Sequence, residues 1–366
     1  MPTLGSLFDG AGTFPFAAEI CGITSVWASE IEHFPIRVTS KNFPNMKHLG
    51  DINGINGAEL TPVDVITLGS PCQDLSRAKG QREGLDGEKS GLFNEAIRII
   101  KEMRDKTNGR YPRFAIWENV TGAFTSNDGD DFKEVLSAFC RIKDGRAYVP
   151  RSPYGRWFES GLIVGEGYSV SWRVLNAQFW GVSQRRRRVF LVADFRGESA
   201  AEILFKRQGL SRSFAESRKR WHGDSKSFAH CASGTGKTMM CYVKGSRPHN
   251  ISQAQVWKEG YVANCLNAHD RTNAYANELV VISDEDGYRI RRLTPTEWGR
   301  LQGMPDWWCD GIRHSDDKEL IMWGNGMALP CVLYIMEGIS EVLIAGHEGI
   351  IEKGNRQLSF LNYTEE

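Results

Sequence analysis

Three short stretches hold residues of the types that make and break bonds. GSPCQDLS, residues 69–76, sets Cys72 between Pro71 and Gln73. A cysteine nucleophile needs thiolate character and a fixed position. Pro71 supplies rigidity by restricting the backbone just before it. A lone cysteine is ordinarily a small apolar core side chain and needs no polar frame, so the frame argues for chemistry here. The second stretch is Glu118-Asn119-Val120, which continues Ile116-Trp117. A carboxyl held among apolar neighbours keeps its proton more tightly and can donate it. The third is QRRRR, residues 184–188, running straight into VFLVA. Four arginines in a row are usually a solvated charge run, but a strand is an odd place for one. Strand alternation puts Arg186 and Arg188 on one face, Arg185 and Arg187 on the other.

A further stretch, LFDGAGTFPFAAE, follows an apolar run and opens a helical pattern. Gly10 and Gly12 permit a tight turn and close approach of a ligand to backbone, and a helix N-terminus offers unpaired N–H donors. Pro15 stands where the dinucleotide fingerprint would have its third glycine, so the glycines alone also fit a plain strand–helix turn. Glu30 ends the next apolar run, where a carboxylate can accept ribose hydroxyls. Asp51, in HLGDI, can accept a proton from an adenine amino group. An adenosine-bearing cofactor is the expectation, with neither phosphate chemistry nor hydride transfer specifically required.

These groups need a scaffold. Leu4–Phe8, Thr24–Ser29, Val63–Leu68, Arg113–Trp117, Ser169–Leu175 and Arg188–Phe195 read as strands. GLFNEAIRIIKEMRDK places Phe93, Ala96, Ile97, Ile100 and Met103 on one helical face, and DFKEVLSAF does so with Phe132, Val135, Leu136 and Phe139. Alternating strands and helices predict a mostly parallel sheet with helices on both faces, and ligands bind beyond the carboxyl ends of such strands. The chemical stretches fall at those ends. Residues 196–288 change texture: they are rich in Gly, Ser, Asn, His and charge, and KRQGLSRSFAESRKR (206–220) packs six basic residues around one Glu. Regular texture returns with RRLTPTEWGRLQGMPDWW, and Val332, Ile335, Met336, Ile339, Val342 and Leu343 predict a final amphipathic helix. The expected organisation is 1–195 catalytic and cofactor-binding, 196–288 target-recognising, 289–320 bridging, and 321–366 returning to the first unit.

The 366 residues, 41% hydrophobic and 25% charged, suit a globular chain of about two units with a large core. With 45 basic and 45 acidic residues, net charge says nothing about a polyanion partner; only local clusters can. The 8 cysteines form no Cys-x-x-Cys pair, and His222, His230 and His249 near Cys231 and Cys241 match no zinc spacing, so no metal is expected. No apolar run reaches the roughly 18 residues a membrane span needs, and the N-terminus lacks a signal-peptide pattern. A cytoplasmic chain with reduced thiols and no membrane partner is expected.

FDGAGT, PCQ, ENV, QRRRR, RLTPTEWGRLQGMP and GNG, in this order, resemble the C5-cytosine DNA methyltransferases that use S-adenosylmethionine. The resemblance covers nearly the whole chain except 196–288. It implies an α/β fold: a Rossmann-like S-adenosylmethionine-dependent methyltransferase sheet with a smaller, loop-rich target-recognition domain. Phe8, Gly10, Gly12, Glu30, Asp51, Ile52 and Asn325 would line the S-adenosylmethionine site, with Ile31 against the adenine. Cys72 would be the nucleophile, Glu118 would hold N3 and the exocyclic amine of cytosine, Arg188 its O2, and Arg186 would support the site. The segment DLSRAKGQREGLDGEKSGL resembles the loop that closes over DNA, with Gln73, Ser76, Lys79 and Arg82 expected to face the duplex. Thr13 departs from a frequent second consecutive glycine, Gly326 from a usual serine, and Ser70 from a common aromatic. A bacterial or phage-encoded monomer acting on double-stranded DNA, with a restriction endonuclease as companion, follows as the implied setting.

The chemistry fits the residue types. Cytosine C5 is too weak a nucleophile to take a methyl group unaided. Thiolate attack at C6 breaks aromaticity and loads charge onto N3 and O2, where a proton donor and a cation stabilise it. The base must leave the stack first, at a cost of a few kcal/mol. Four rivals share parts of the pattern: a tRNA cytosine methyltransferase of the same family, a catalytically inactive DNA-binding protein, a dinucleotide oxidoreductase, and an ATPase suggested by GTGKT at 234–238. Intact Cys72, Glu118 and Arg188 argue against inactivity. The missing third glycine weakens the oxidoreductase, and Cys231 occupies the first glycine position of a P-loop.

Overall fold

The apolar runs pair, among the described residues, into an eight-stranded sheet of order β3-β2-β1-β4-β5-β8-β7-β6. Its strands are β1 (Thr3–Leu7), β2 (Thr24–Ser29), β3 (Lys47–His48), β4 (Val65–Leu68), β5 (Phe114–Val120), β6 (Ser160–Gly165), β7 (Tyr168–Asn176) and β8 (Arg187–Asp194). The computed structural model describes residues 1–69, 91–152, 154–205, 239–244, 257–260, 262–266, 278–284 and 287–347. Cys72, Gln73, Ser76, Lys79 and Arg82 lie outside the described residues, as do the 206–220 basic cluster, the 234–238 stretch and the three histidines considered for metal. From β3 to β5 every pairing is parallel. From β5 through β8 and β7 to β6 every pairing is antiparallel. The parallel expectation therefore holds for one side of the sheet. The other side is a meander, because only two residues, Glu166 and Gly167, separate β6 from β7, too few for a crossover helix.

Helices cover both faces, as strands apolar at successive positions require. Leu4, Ala28, Val65, Phe114, Ile116, Phe190 and Val192 face one layer, built from α1 (Thr13–Ile20), α2 (His33–Asn42), α5 (Ala200–Phe205) and, nearer the C-terminus, Leu329–His347. Their alternates Leu7, Trp27, Ile66, Leu68, Ala115, Trp117, Val189 and Leu191 face the other. That layer holds α3 (Gly91–Lys106) and α4 (Asp130–Arg141). The residues expected on the α3 and α4 faces, from Phe93 to Met103 and from Phe132 to Phe139, are all buried. Phe132 packs among Trp117, Phe124, Trp157 and Trp172 with ring centroids 4.8–5.9 Å apart. Truncating such a side chain costs about 3–5 kcal/mol.

Between residues 239 and 291 the chain forms a second, antiparallel sheet of β9 (Met239–Lys244), β10 (Trp257–Glu259), β11 (Glu278–Asp284) and β12 (Gly287–Arg291), in the order β10-β9-β11-β12. The polar texture of this region hid these strands, although ELVVISD in β11 carries a β-branched run. After β12 comes α6 (Pro295–Leu301). Its start is a capping box: the Glu297 N–H donates to Thr294 Oγ1, the Thr294 N–H donates to Glu297, and Pro295 opens the first turn. Two helices follow, α7 (Asp316–Asn325) and α8 (Leu329–His347). Of the six positions expected on the inner face of α8, five are buried and Val342 is half-buried. Among the described residues no single helix is long and apolar enough to cross a membrane.

Candidate active site

Register brings the chemical groups to one rim of the large sheet. Leu7 pairs with Ser29 on one side and Leu68 on the other, and Leu68 pairs with Trp117. The residues just beyond β1, β2, β4 and β5 therefore lie side by side. Because β8 runs the opposite way, its first residues meet the last ones of β5, and Arg188 pairs with Val120. An arginine at a strand start thus faces a glutamate at a strand end.

The Glu118 side chain is 12% exposed, and its Oε1 lies 3.1 Å from Arg188 Nε. Burial raises its pKa, against the opposing pull of Arg188 and then Arg186. The carboxyl therefore holds its proton more tightly than a solvated glutamate does, even beside a cation. A methyl group placed on Gly69 would sit 3.8 Å from Glu118 Oε2 and 3.9 Å from the Phe8 carbonyl oxygen. The backbone thus passes beside the Glu118 carboxyl three residues short of Cys72. Arg186 is buried deeper, at 2% exposure. Its Nη1 donates to Leu266 O at 2.8 Å, and its Nη2 donates to the carbonyls of Gly324 (3.1 Å) and Gly326. Burial lowers its pKa to about 10, with the Arg188 charge adding to the effect. Arg185 and Arg187 are exposed, and Arg187 ion-pairs with Glu159, so the two faces of the arginine run differ as alternation requires.

The glycine turn supplies the neighbouring rim. Phe8, Gly10 and Gly12 have φ of 58°, 55° and 76°. The positive φ is costly for Phe8 and easy for the two glycines. A methyl on Gly12 would lie 2.7 Å from Thr39 Cγ2, whereas among the described residues nothing stands within 4 Å of one on Gly10. Glu30 is locked from below: Gly10 N–H donates to its Oε2 at 2.7 Å, and the N–H groups of Ile31 and Glu32 donate to its Oε1 at 2.8 and 2.9 Å. A carboxylate has about four acceptor positions, so roughly one remains for a ribose hydroxyl unless the Gly10 bond opens. Ile31 is 65% exposed beside it, an apolar side chain free to cover a flat ring. Asp51 is exposed, but its Oδ1 already accepts the Asn53 N–H at 3.0 Å. Ile52 is buried in the core at 3% exposure and so offers backbone rather than side chain. Asn325, the last residue of α7, is exposed. Open space above Gly10, a fixed carboxylate and an exposed apolar side chain together fit an adenosine-bearing group.

A family model described as C-5 cytosine-specific DNA methylase matches residues 3–143 and 163–341. The chain belongs to that family. It is 32% identical over 280 residues to a "DNA N-6-adenine-methyltransferase" of Escherichia phage P1, a match covering 69% of this chain and 36% of that protein. It is 25% identical over 337 residues to the "Type II methyltransferase M1.ScrFI" of Lactococcus lactis subsp. cremoris, covering 88% of this chain and 73% of that one. The chain therefore spans about a third of the phage relative and about three quarters of the lactococcal one. Among solved structures, S. pombe Dnmt2 methyltransferase superposes with a TM-score of 0.62 at 17% identity, covering 94% of this chain and 99% of that one, which shows the shared fold.

Several residues at the methylase rim escaped the sequence reading. Asp9 is 2% exposed; Ser6 Oγ donates to its Oδ1 at 2.7 Å, and among the described residues its buried Oδ2 has no hydrogen-bond partner. An acid inside an apolar turn was the available signal. Asn119 is 1% exposed; its Oδ1 accepts the Val120 N–H at 2.7 Å, and among the described residues its buried Nδ2 has no hydrogen-bond partner. Trp308 fixes the glycine turn from across the chain, donating its ring N–H to Ala11 O at 2.9 Å. No local pattern announces a contact made over that sequence separation.

Proposed function

We propose that this chain transfers a methyl group from S-adenosylmethionine to C5 of a cytosine swung out of duplex DNA, with Cys72 bonded transiently to C6. The observation that carries the reading is the buried Glu118 carboxyl. It is disposed to keep a proton, pairs with Arg188 at 3.1 Å, and has the chain leading to Cys72 running past its second oxygen. Thiolate addition at C6 pushes electrons toward N3 and O2. Glu118 donates its proton to N3, and Arg188 faces the charge growing on O2. Arg186, tied to three backbone carbonyls, holds the floor of the site. When bound, S-adenosylmethionine supplies the electrophilic methyl group, and the residues that would hold it are Phe8, Gly10, Gly12, Glu30, Ile31, Asp51, Ile52 and Asn325. The buried, protonated acid matters because an ionised carboxylate could not neutralise the ring at N3.

Gln73, Ser76, Lys79, Arg82 and the 206–220 cluster are assigned to the duplex: cations to phosphate for affinity, other groups to base edges for sequence. The same reading gives residues 196–288 the recognition role and expects a monomer working beside a restriction endonuclease. The phage relative is named instead for adenine N6, where no thiol addition is needed. Nucleoside mass spectrometry of treated DNA separates the two products. The covalent step is tested with a duplex carrying 5-fluorocytosine at the modified position: the halogen cannot leave as a proton does, so the adduct should survive denaturing electrophoresis. Cys72→Ser should lose methyl transfer while binding S-adenosylmethionine as the wild type does. N6-methyladenine as the product, or full turnover in Cys72→Ser, overturns the proposal.

A further inference from the structure

One short segment of the chain, 262–266, lies between β10 and β11 of the small sheet in sequence, yet in space it is built onto the residues that lead into β8. Ala263 forms an isolated parallel bridge with Gln184. Its N–H donates to Ser183 O at 2.8 Å, and its carbonyl accepts the Arg185 N–H at 2.8 Å. Ala263 and Leu266 are fully buried there. Two residues beyond the bridge, Cys265 Sγ lies 3.5 Å from Arg186 Nη1 and 3.8 Å from Arg188 Nη1. Its S–H is within reach of Leu266 O, 3.6 Å away, so the sulfur can donate there while accepting from the guanidiniums. A single thiol therefore reaches both arginines of the proposed site, one of which pairs with Glu118 at 3.1 Å.

We infer that Cys265 is a positioning residue for the methyl transfer: its sulfur accepts from Arg186 and Arg188 and keeps the Arg188 guanidinium aligned with Glu118. The inference rests on the function proposed above. A thiol is a weak acceptor, but a guanidinium is a planar, multi-donor group whose usefulness depends on its angle. Arg186 is also held by the carbonyls of Leu266, Gly324 and Gly326, so loss of the sulfur disturbs it little. Arg188 donates to the carbonyl of Arg187 at 2.9 Å and pairs with Glu118 at 3.1 Å, contacts made within and between the neighbouring strands β8 and β5. The thiol reaches Arg188 from the separate segment 262–266 and supplies a further brace. Since the brace arrives on a segment that continues into the small sheet, seating of that segment and alignment of the acid–cation pair become one event.

The test is steady-state methyl transfer to duplex DNA by the full chain as wild type, Cys265→Val, Cys265→Ser and Cys265→Ala. Valine keeps the volume but has no acceptor, serine keeps an acceptor, and alanine serves if the branched side chain impairs folding. Loss of one such hydrogen bond to a charged group corresponds to about a tenfold change in rate. Cys265→Val and Cys265→Ala should lower kcat by about that factor with KM for duplex and cofactor within about twofold, and Cys265→Ser should recover most of it. The alkaline limb of the pH–rate profile should also move upward in the valine variant, because a displaced Arg188 no longer opposes protonation of Glu118. Serine and valine falling alike, or a loss confined to KM, would show that the thiol merely packs or touches DNA. Wild-type kcat in the valine variant overturns the inference alone, whereas a wild type that labels no cytosine overturns the function beneath it as well.

Discussion

Replacing Asp9 with asparagine should make this protein more stable in alkali and less stable in acid. Burial pushes the Asp9 carboxyl from its ordinary 3.8 to about 7, with the Glu30 charge adding to the shift and the Ser6 hydrogen bond opposing it. The folded value is the higher one, so the stability tied to the protonated carboxyl is fully present below the unfolded value of 3.8. It drains away as pH rises and is gone once pH passes the folded value of about 7. The interval from 3.8 to about 7 corresponds to a full loss of about 4 kcal/mol. Asparagine cannot ionise and escapes that loss. It keeps an oxygen for Ser6 Oγ but places two N–H donors where the buried Oδ2 has no partner, at a cost of about 1–2 kcal/mol. The variant should therefore gain roughly 2–3 kcal/mol above pH 7, match the wild type near pH 5, and fall slightly below it in stronger acid. Urea unfolding followed by tryptophan fluorescence at pH 5, 6 and 8 measures the difference. A gap between the two proteins that does not change across that range would refute a buried, protonated Asp9, and so would a variant weaker at pH 8.

Other consequences concern the rim itself. Glu118→Gln keeps shape and an oxygen for Arg188 but has no acidic proton; labelled methyl transfer should show kcat lower by about 10²–10⁴, with S-adenosylmethionine affinity by calorimetry unchanged. For the same reason the wild-type rate should fall as pH rises through the raised Glu118 pKa, while the residual rate of Glu118→Gln should lack that limb. Gly12→Ala combines φ of 76° with a contact 2.7 Å from Thr39 Cγ2, so it should cost about 1–3 kcal/mol in unfolding experiments and weaken the cofactor. Gly10→Ala, with open space around it, should cost less. Exchanging residues 206–288 with a relative's equivalent should move methylation to a different DNA sequence in bisulfite sequencing, with α5 left in place because it packs beneath β7 and β8.

Much of the catalytic layer was legible because the forces that shape it are local. Apolar runs ending in Phe8-Asp9-Gly10, Glu30 and Gly69 mark strands that stop at a turn, and the α3 and α4 faces follow from 3.6-residue spacing. The boundaries shifted by one to three residues: Arg113 lies before β5, while Glu118 to Val120 lie within it. The strands between residues 239 and 291 were illegible, since short antiparallel strands among polar loops leave a weak period. So was α5, at Ala200–Phe205, whose backbone carbonyl at Leu204 accepts from Tyr334 and Arg173. Its six residues are too few for a helical pattern to declare itself.

Residue types and their order along the chain were enough to point to the family and to propose its chemistry: a framed thiol, an acid among apolar neighbours, arginines entering a strand, and glycines before a helix. They did not determine who meets whom. Arg188 reaches Glu118 because β8 enters the sheet antiparallel to β5, and Cys265 reaches both arginines because Ala263 bridges to Gln184 just before β8. Whether Glu118 or Asp9 keeps its proton depends on how much water the packed layers exclude. Local preference acts over a few residues and can be read one window at a time. Strand direction, register and desolvation arise only when distant segments compete for the same partners, and that competition ends in the folded chain.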